Sequence, residues 1–284
     1  MHNRPDIDGK RPMTIGEPRA FRNSPVADLF VADERATNIS EVPIEPHVAM
    51  KPGWEYPIRS LPEEKTWKMR RFAMLVKHDP QKSKIPDYMV IRDEIISPEL
   101  IGWNLHVLGR EIEGGGPSFH FPGQLGVDLD AHFLNALSGK IQKGEWGWSG
   151  PASDRREAKG ADYEKRYFGK MIPDNFQRGS WKEEDGERTK WLRISGPAGA
   201  SAWFVVLMPG LKGQSAPKVE KISETAARIT LGTETETIHL GTDAKFQAAV
   251  ERNNQVTTLL ASGALQPLDK TQFKASPPAR KKWF

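Results

Sequence analysis

The sequence predicts an all-β protein, built as an antiparallel β-sandwich with long loops and a small C-terminal sheet. Short segments rich in aromatic and β-branched residues recur along the chain, bounded by Pro, Gly or Asp as strands are. Several of them alternate polar and apolar residues, which is the pattern of a sheet with one buried face. No long helical period separates the segments. Material for βαβ crossovers is therefore missing, and we expect the strands to pair antiparallel.

Six segments carry the clearest strand pattern. They are residues 66–77, 86–95, 101–112, 125–136, 189–196 and 201–210. The fourth segment is amphipathic. Its apolar face consists of Val127, Leu129, Ala131 and Phe133, and its polar face of Asp128, Asp130 and His132. We expect the first face to be buried and the second to face water.

The stretches between these strands predict loops. Residues 38–66 contain five prolines and predict a long excursion over the surface. Residues 137–186 predict loops with one short helix near 160–168. The run EGGGPSFHFPGQ lacks the Gly-Lys-Ser/Thr of a phosphate-binding loop and predicts a flexible β-loop instead.

The C-terminal part has a different texture, with short Thr-rich strands after residue 211. We therefore predict a main sandwich over residues 1–210 and a small β extension over residues 211–284, packed on the sandwich. Residues 244–253 fit a helix or a strand equally well.

Composition narrows the function classes. The chain has 284 residues, no cysteine and a net charge of +4, with 41 basic residues interleaved with 37 acidic ones. Disulfides, thiolate metal sites and thiol nucleophiles are thereby excluded. The mild positive bias fits an acidic polysaccharide as well as a nucleic acid, and we expect no nucleic-acid partner. No apolar run approaches a membrane span and no signal peptide is evident, so we expect no membrane partner.

Histidines and tryptophans are the other candidates for chemistry. No two of the seven histidines form an HxH or HExxH pair, and no GxSxG motif is present. His106 and His120 are interpreted as hydrogen-bonded histidines on a sheet face, and His132 with Asp128 and Asp130 as a solvated face or a ligand set. Three tryptophans in strands are assigned to the core, namely Trp103, Trp191 and Trp203.

Trp146 and Trp148 differ from those three because they flank one glycine in a polar stretch, KGEWGWSG. Exposed aromatic faces can stack on sugar rings through their large rigid surface. We therefore name Trp146 and Trp148 as candidate substrate-binding residues, with inter-sheet packing as the alternative.

Several segments, taken in order, resemble the C-terminal β-sandwich region of the heparinase II/III-like polysaccharide lyases. HNRPDIDGK is similar to the family's His-Asn stretch with its Val-Asp-Gly, and EPRAFRNSPVADLFVADE to the strand pair that follows. MRRFAMLVKHDPQKSKIPDYMVIRDEI resembles its strand and hairpin unit, and WNLHV its Trp-x-x-His strand. The resemblance covers roughly residues 1–135 in pattern and later residues only in texture.

This resemblance implies a supersandwich-like fold and a role beside an α/α toroid domain, which supplies most catalytic groups in the family. It also implies that His2 is one ligand of a zinc site whose other ligands lie outside this chain, so that Met1 marks a truncation or an internal start. No residue here matches a catalytic position of the family, and we expect the chain alone to be inactive. A periplasmic or secreted location is implied as well.

Three hypotheses therefore stand at this stage. The chain is the sandwich portion of such a lyase, a non-catalytic carbohydrate-binding or scaffold module, or a purely structural sandwich. Acidic polysaccharide is the expected partner in the first two.

Overall fold

The computed structural model describes residues 5–7, 10–43, 58–61, 66–123, 126–135, 139–146 and 188–268. Across these residues the protein is all-β, which confirms the predicted fold class. No helix in this part of the chain is long and apolar enough to cross a membrane.

The described residues form eighteen strands. In chain order they are β1 (Asp6–Ile7), β2 (Lys10–Asn23), β3 (Ala27–Pro43), β4 (Ile58–Ser60), β5 (Trp67–Val76), β6 (Tyr88–Ser97), β7 (Ile101–Gly109), β8 (Glu113–Gly115), β9 (Ser118–Phe121), β10 (Val127–Phe133), β11 (Ile141–Trp146), β12 (Arg188–Gly196), β13 (Gly199–Leu211), β14 (Lys218–Ser223), β15 (Ala226–Leu231), β16 (Glu234–Leu240), β17 (Ala248–Arg252) and β18 (Gln255–Leu260).

These strands make two sheets. The large sheet has 13 strands in the order β11-β12-β7-β1-β2-β3-β5-β6-β13-β10-β9-β8, with β4 beside β3. The small sheet has five strands in the order β14-β15-β16-β17-β18. The paired strands run antiparallel, as expected for a chain without crossover helices.

Each face of the large sheet holds a core, as the alternation within β5 shows. Phe72 and Met74 point into a core shared with the small sheet, which includes Ile229 and Ile238. Trp67 and the other side chains of its parity point to the opposite face, because successive residues of a strand alternate. The two cores therefore lie on opposite faces and at opposite ends of the strands.

The second core forms because the large sheet curls until its two ends approach each other. The backbone N–H of Arg110, after β7, donates to the carbonyl of Pro122, after β9, at 2.8 Å. Inside the curl, Trp103 packs edge-on against Phe133, with ring centroids 5.3 Å apart. Burial of these large rings gives this end of the molecule its stability.

Buried polar contacts join the small sheet to the large one. Tyr88 Oη of β6 donates to Glu236 Oε1 of β16 at 2.7 Å, and His78 Nε2 lies 3.1 Å from the same oxygen. Arg252 Nε of β17 donates to Glu236 Oε2. Because the Glu236 side chain is only 2% exposed, these partners are needed to keep a charge at this seam.

All six strand predictions are confirmed in position, with ends that shift by a few residues. The strand predicted over 101–112 ends at Gly109, and Glu113 begins the separate strand β8. In β10 the predicted alternation holds where the sheet is covered: Ala131 and Phe133 are buried. Val127 is 45% exposed, because the end of β10 where it lies extends beyond the second core.

The prediction of a surface excursion over 38–66 is wrong at its ends. β3 continues to Pro43, and β4 pairs with it at Asn38↔Ser60. Register shifts in the β2–β3 hairpin accommodate prolines within the ladder, as at Pro18. Residues 44–57 and 62–65 lie outside the described residues.

Two predicted loops also contain strands. β11 occupies Ile141–Trp146 within the stretch assigned to loops, while residues 147–187, with the predicted helix, lie outside the described residues. The glycine-rich run forms the β8–β9 hairpin rather than a flexible loop, with Gly116 at a φ of +62° in the turn. Residues 248–252 are a strand, which settles the alternative left open there.

Candidate functional site

The strands that carry the family resemblance meet on one polar sheet face. β1, from the HNRPDIDGK segment, pairs with β7, from the WNLHV segment, at Asp6↔Gly102. β12 pairs with the other side of β7, and β11 forms the edge beyond it. Paired residues point the same way, so one face of these four strands is polar while the other faces the second core. We call it the β1–β7–β12–β11 face.

Asp6 is the centre of a hydrogen-bond network on this face, and its side chain is fully buried. Arg193 of β12 donates to it twice, from Nε to Oδ2 at 2.6 Å and from Nη2 to Oδ1 at 2.7 Å. Asn104 of β7 donates from its amide to Oδ2 at 2.9 Å. A bidentate guanidinium contact with a carboxylate fixes both position and angle. Asp6 therefore anchors the first strand of the chain onto β7 and β12.

Gly102 leaves the space that the contact between Asp6 and Arg193 requires. A Cβ placed on Gly102 would lie 2.1 Å from Asp6 Oδ2 and 2.4 Å from Arg193 Nε, well inside any allowed contact. The carboxylate and guanidinium thus cross directly over the β7 backbone. Arg193 Nη1 also donates to the Gln142 side chain of β11 at 2.8 Å, which extends the network to the sheet edge.

A second glycine on this face lies under an indole. Trp191 of β12 is partly exposed and lies across Gly144 of β11, where an added Cβ would be 2.4 Å from ring atoms Cε2 and Cζ2. His106 of β7 is the register partner of Trp191 on the other side. Partial burial lowers the pKa of His106 and favours its neutral form. This part of the face presents an aromatic ring beside a neutral imidazole.

Of the predicted site residues, only Trp146 falls within the described part of the chain. Trp146 is the last residue of β11, and its backbone pairs with that of Thr189 in β12. Its placement in an edge strand corrects the prediction that it lies in a polar loop. His2 and Trp148 lie outside the described residues, so their proposed roles stay predictions.

The polar side of β10 forms a separate cluster on the other end of the large sheet. Asp130 Oδ1 is 2.7 Å from His120 Nδ1, as expected for a hydrogen-bonded histidine. His132 Nδ1 instead lies 3.0 Å from Ser118 Oγ of β9. Burial lowers the pKa of His132, although the charge of Asp130 opposes this shift. Asp130 is thus engaged by His120 and not by His132.

The resemblance predicts a zinc ligand at His2, whereas Asp128, Asp130 and His132 fit either a solvated face or a ligand set. Among the described residues no three His, Cys, Asp or Glu side chains are arranged to hold a metal ion. Since His2 is not among them, zinc remains a prediction from the resemblance.

Sequence reasoning missed Trp191, which it assigned to the core together with Trp103 and Trp203. Those two are buried, at 0% and 6% exposure, whereas Trp191 is partly exposed. A signal was present: in TKWLRISG, Trp191 has the parity of Arg193 and Ser195, while Leu192 and Ile194 have the other. The alternation places Trp191 on the polar face.

Comparisons with known proteins give similarity at the level of fold. No family model matches the chain, and no curated protein sequence is similar to it. A heparan sulfate lyase structure from Pedobacter heparinus aligns with a TM-score of 0.45 and 10% identity, covering 92% of this chain and 30% of that one. A heparinase III gene product aligns at 0.47 and 12%, covering 91% and 30%. This chain therefore spans about 30% of the length of those proteins, and the relation is distant.

Proposed function

We propose that this chain is the β-sandwich portion of a heparinase II/III-like polysaccharide lyase, which cleaves uronate-containing polysaccharide by β-elimination when joined to its toroid domain. One observation supports this most. Two of the four segments that carry the resemblance, HNRPDIDGK and WNLHV, are far apart in sequence, yet they become the neighbouring strands β1 and β7 and share the Asp6–Asn104 hydrogen bond. A chance similarity of isolated segments does not require them to meet.

The chemistry divides between this chain and the toroid. Elimination needs a group that neutralises the uronate carboxylate, a base that removes the proton beside it and an acid that protonates the leaving oxygen. We assign no catalytic residue in this chain. Arg193 is committed to Asp6, so its role is to position β1. In this proposal His2, four residues before Asp6, supplies one ligand to zinc. The protein works in the periplasm or outside the cell.

A spectrophotometric assay for the unsaturated uronate product tests the proposal. We compare the purified 284-residue chain with the protein isolated from its native source, together with any chain to which it is joined, on heparan sulfate and alginate with and without zinc. We expect the native assembly to form product and the isolated chain to form none. Unsaturated product formed by the isolated chain would show that this chain itself contains the catalytic residues. If the native assembly forms no unsaturated uronate product from any of the polymers, the lyase proposal is overturned.

A non-catalytic carbohydrate-binding or scaffold module is the second candidate. It is favoured by the partly exposed Trp191 on the polar face of the large sheet. For this function we expect polysaccharide binding without product in either preparation. Binding should disappear in a Trp146→Ala/Trp148→Ala double variant whose circular dichroism spectrum and unfolding midpoint are unchanged.

A further inference from the structure

The indole ring of Trp191 packs against the backbone of β11 at Gly144. Gly144 has no Cβ, and a Cβ there would lie within 2.5 Å of three ring atoms, Cε2, Cζ2 and Nε1. Because the three distances from this Cβ position to the ring atoms are nearly equal, the plane of the ring lies against the β11 backbone. The Trp191 side chain is partly exposed. Gly144 and Trp191 thus form a flat aromatic surface at the edge of the large sheet.

The polar atom of this ring has no hydrogen-bond partner among the residues that the structure describes. Trp191 Nε1 is buried against β11 and unpaired. Because Nε1 is the single polar atom of this side chain and is buried, the exposed part of the side chain is hydrocarbon.

The charges beside Trp191 are balanced. Arg193, two residues along β12, forms a bidentate ion pair with Asp6 at 2.6 and 2.7 Å. His106, across the ladder, is disposed to be neutral by its burial. The Asp6–Arg193 pair and the His106 imidazole therefore contribute no net charge beside the aromatic ring. Recognition at this point has to come from contact with the ring itself.

We propose that Trp191, held flat by Gly144, is a stacking platform for the apolar face of a pyranose ring in a polysaccharide chain. The flat ring matches the axial C–H face of a pyranose, and stacking of this kind depends little on charge. The proposal rests on the proposed polysaccharide function and adds the residue that contacts a sugar unit. Trp146 is the last residue of the same strand, β11, two residues after Gly144.

The test uses the full 284-residue chain labelled with 5-fluorotryptophan, so that each of the nine tryptophans gives a separate fluorine resonance. Trp191→Phe identifies the Trp191 resonance. Oligosaccharides of heparan sulfate and of alginate are titrated in low and in raised salt. We expect the Trp191 resonance to shift on binding, and Trp191→Ala to weaken affinity about 3- to 10-fold, the range typical of one aromatic contact. The weakening should persist in raised salt.

Two further variants separate stacking from a general loss of structure. Gly144→Val keeps the indole but displaces it from β11, and we expect a loss of affinity similar to that of Trp191→Ala. Phe21→Ala is the matched control, because Phe21 is a 66% exposed aromatic on another strand, and its binding should equal the wild type. Unfolding midpoints are compared for every variant.

The outcomes distinguish the two levels of the proposal. If the oligosaccharides bind while the Trp191 resonance stays fixed and Trp191→Ala binds as the wild type, the platform is refuted and the proposed function stands. If the wild-type chain binds no oligosaccharide at all, the platform and the polysaccharide function of this face both fail.

Discussion

Asp6 and Arg193 are 187 residues apart in sequence and form a two-pronged ion pair across the backbone of β7. The pair closes the β1–β7–β12 part of the sheet, because β1 is only two residues long and has few ladder hydrogen bonds of its own. Gly102 leaves the space in which the two side chains meet. The position of β1 therefore depends on a side-chain contact more than on its own ladder.

Arg193→Lys tests this dependence. Lysine keeps the charge but loses the planar fork, so we expect a loss of about 1.5–3 kcal/mol in the free energy of unfolding, measured by urea denaturation. Lys218→Gln serves as control, since Lys218 pairs with Glu220 in a solvent-exposed salt bridge, and should show no measurable change. An unchanged midpoint in Arg193→Lys would refute the anchoring role of the pair.

Tyr88→Phe tests the seam between the two sheets. It removes the 2.7 Å hydrogen bond to Glu236 in a buried site, and we expect a loss of about 1.5–3 kcal/mol at neutral pH. In a double-variant cycle with Glu236→Ala the two effects should be strongly non-additive, because both remove the same contact. Simple addition of the two losses would argue that Tyr88 stabilises the seam by packing alone.

Glu236 makes the seam sensitive to acid. Burial works against its charged form, but hydrogen bonds from His78 and Arg252 outweigh burial and lower the pKa of Glu236. A carboxyl group with a lowered folded-state pKa stabilises the fold above its unfolded pKa and loses that contribution as pH falls through the folded value. We expect thermal stability to fall in this acidic range, and to fall less in Glu236→Gln. Equal acid sensitivity of both proteins would contradict this assignment.

His120 is expected to titrate above its ordinary range. Partial burial opposes the imidazolium, but the hydrogen bond and charge of Asp130, with Asp128 and Glu113, raise the pKa of His120. Asp130→Asn should lower this pKa more than Asp128→Asn, because the distances to His120 are 2.7 and 3.7 Å. A histidine NMR titration measures both. The stabilisation is present at low pH and is lost as pH rises through the raised pKa.

An apolar strip crosses the large sheet on the face opposite the small sheet. The exposed residues of the strip are Phe21, Phe30, Leu75, Met89, Val127 and Leu211. Contiguous apolar surface of this kind binds hydrophobic dyes such as anilinonaphthalene sulfonate. We expect a Phe21→Ser/Phe30→Ser variant to bind less dye at unchanged unfolding midpoint, whereas Val256→Ser, on the small sheet, should bind as much as the wild type. Unchanged dye fluorescence in the double variant would show that the strip is not an accessible surface.

The strands were predictable from sequence where alternation or aromatic and β-branched composition was strong. β5, β6, β10 and β13 were found in this way. The β8–β9 hairpin was missed because three consecutive glycines suppress strand propensity, while the turn at Gly116 needs the positive φ that glycine provides. The strand end at Trp146 was missed because its partner, Thr189, lies beyond a 41-residue interval (147–187) that local patterns do not bridge.

The sequence by itself determined that this protein is all-β, where most strands lie and which of their faces are apolar, because the pleat has a period of two residues that local composition displays. Only the tertiary structure decided which polar residues meet. The order and curl of the sheets bring Asp6 into contact with Arg193, Trp191 with Gly144, and Tyr88 with Glu236. Pairing between distant strands depends on packing energy summed over the whole fold, which no local pattern contains.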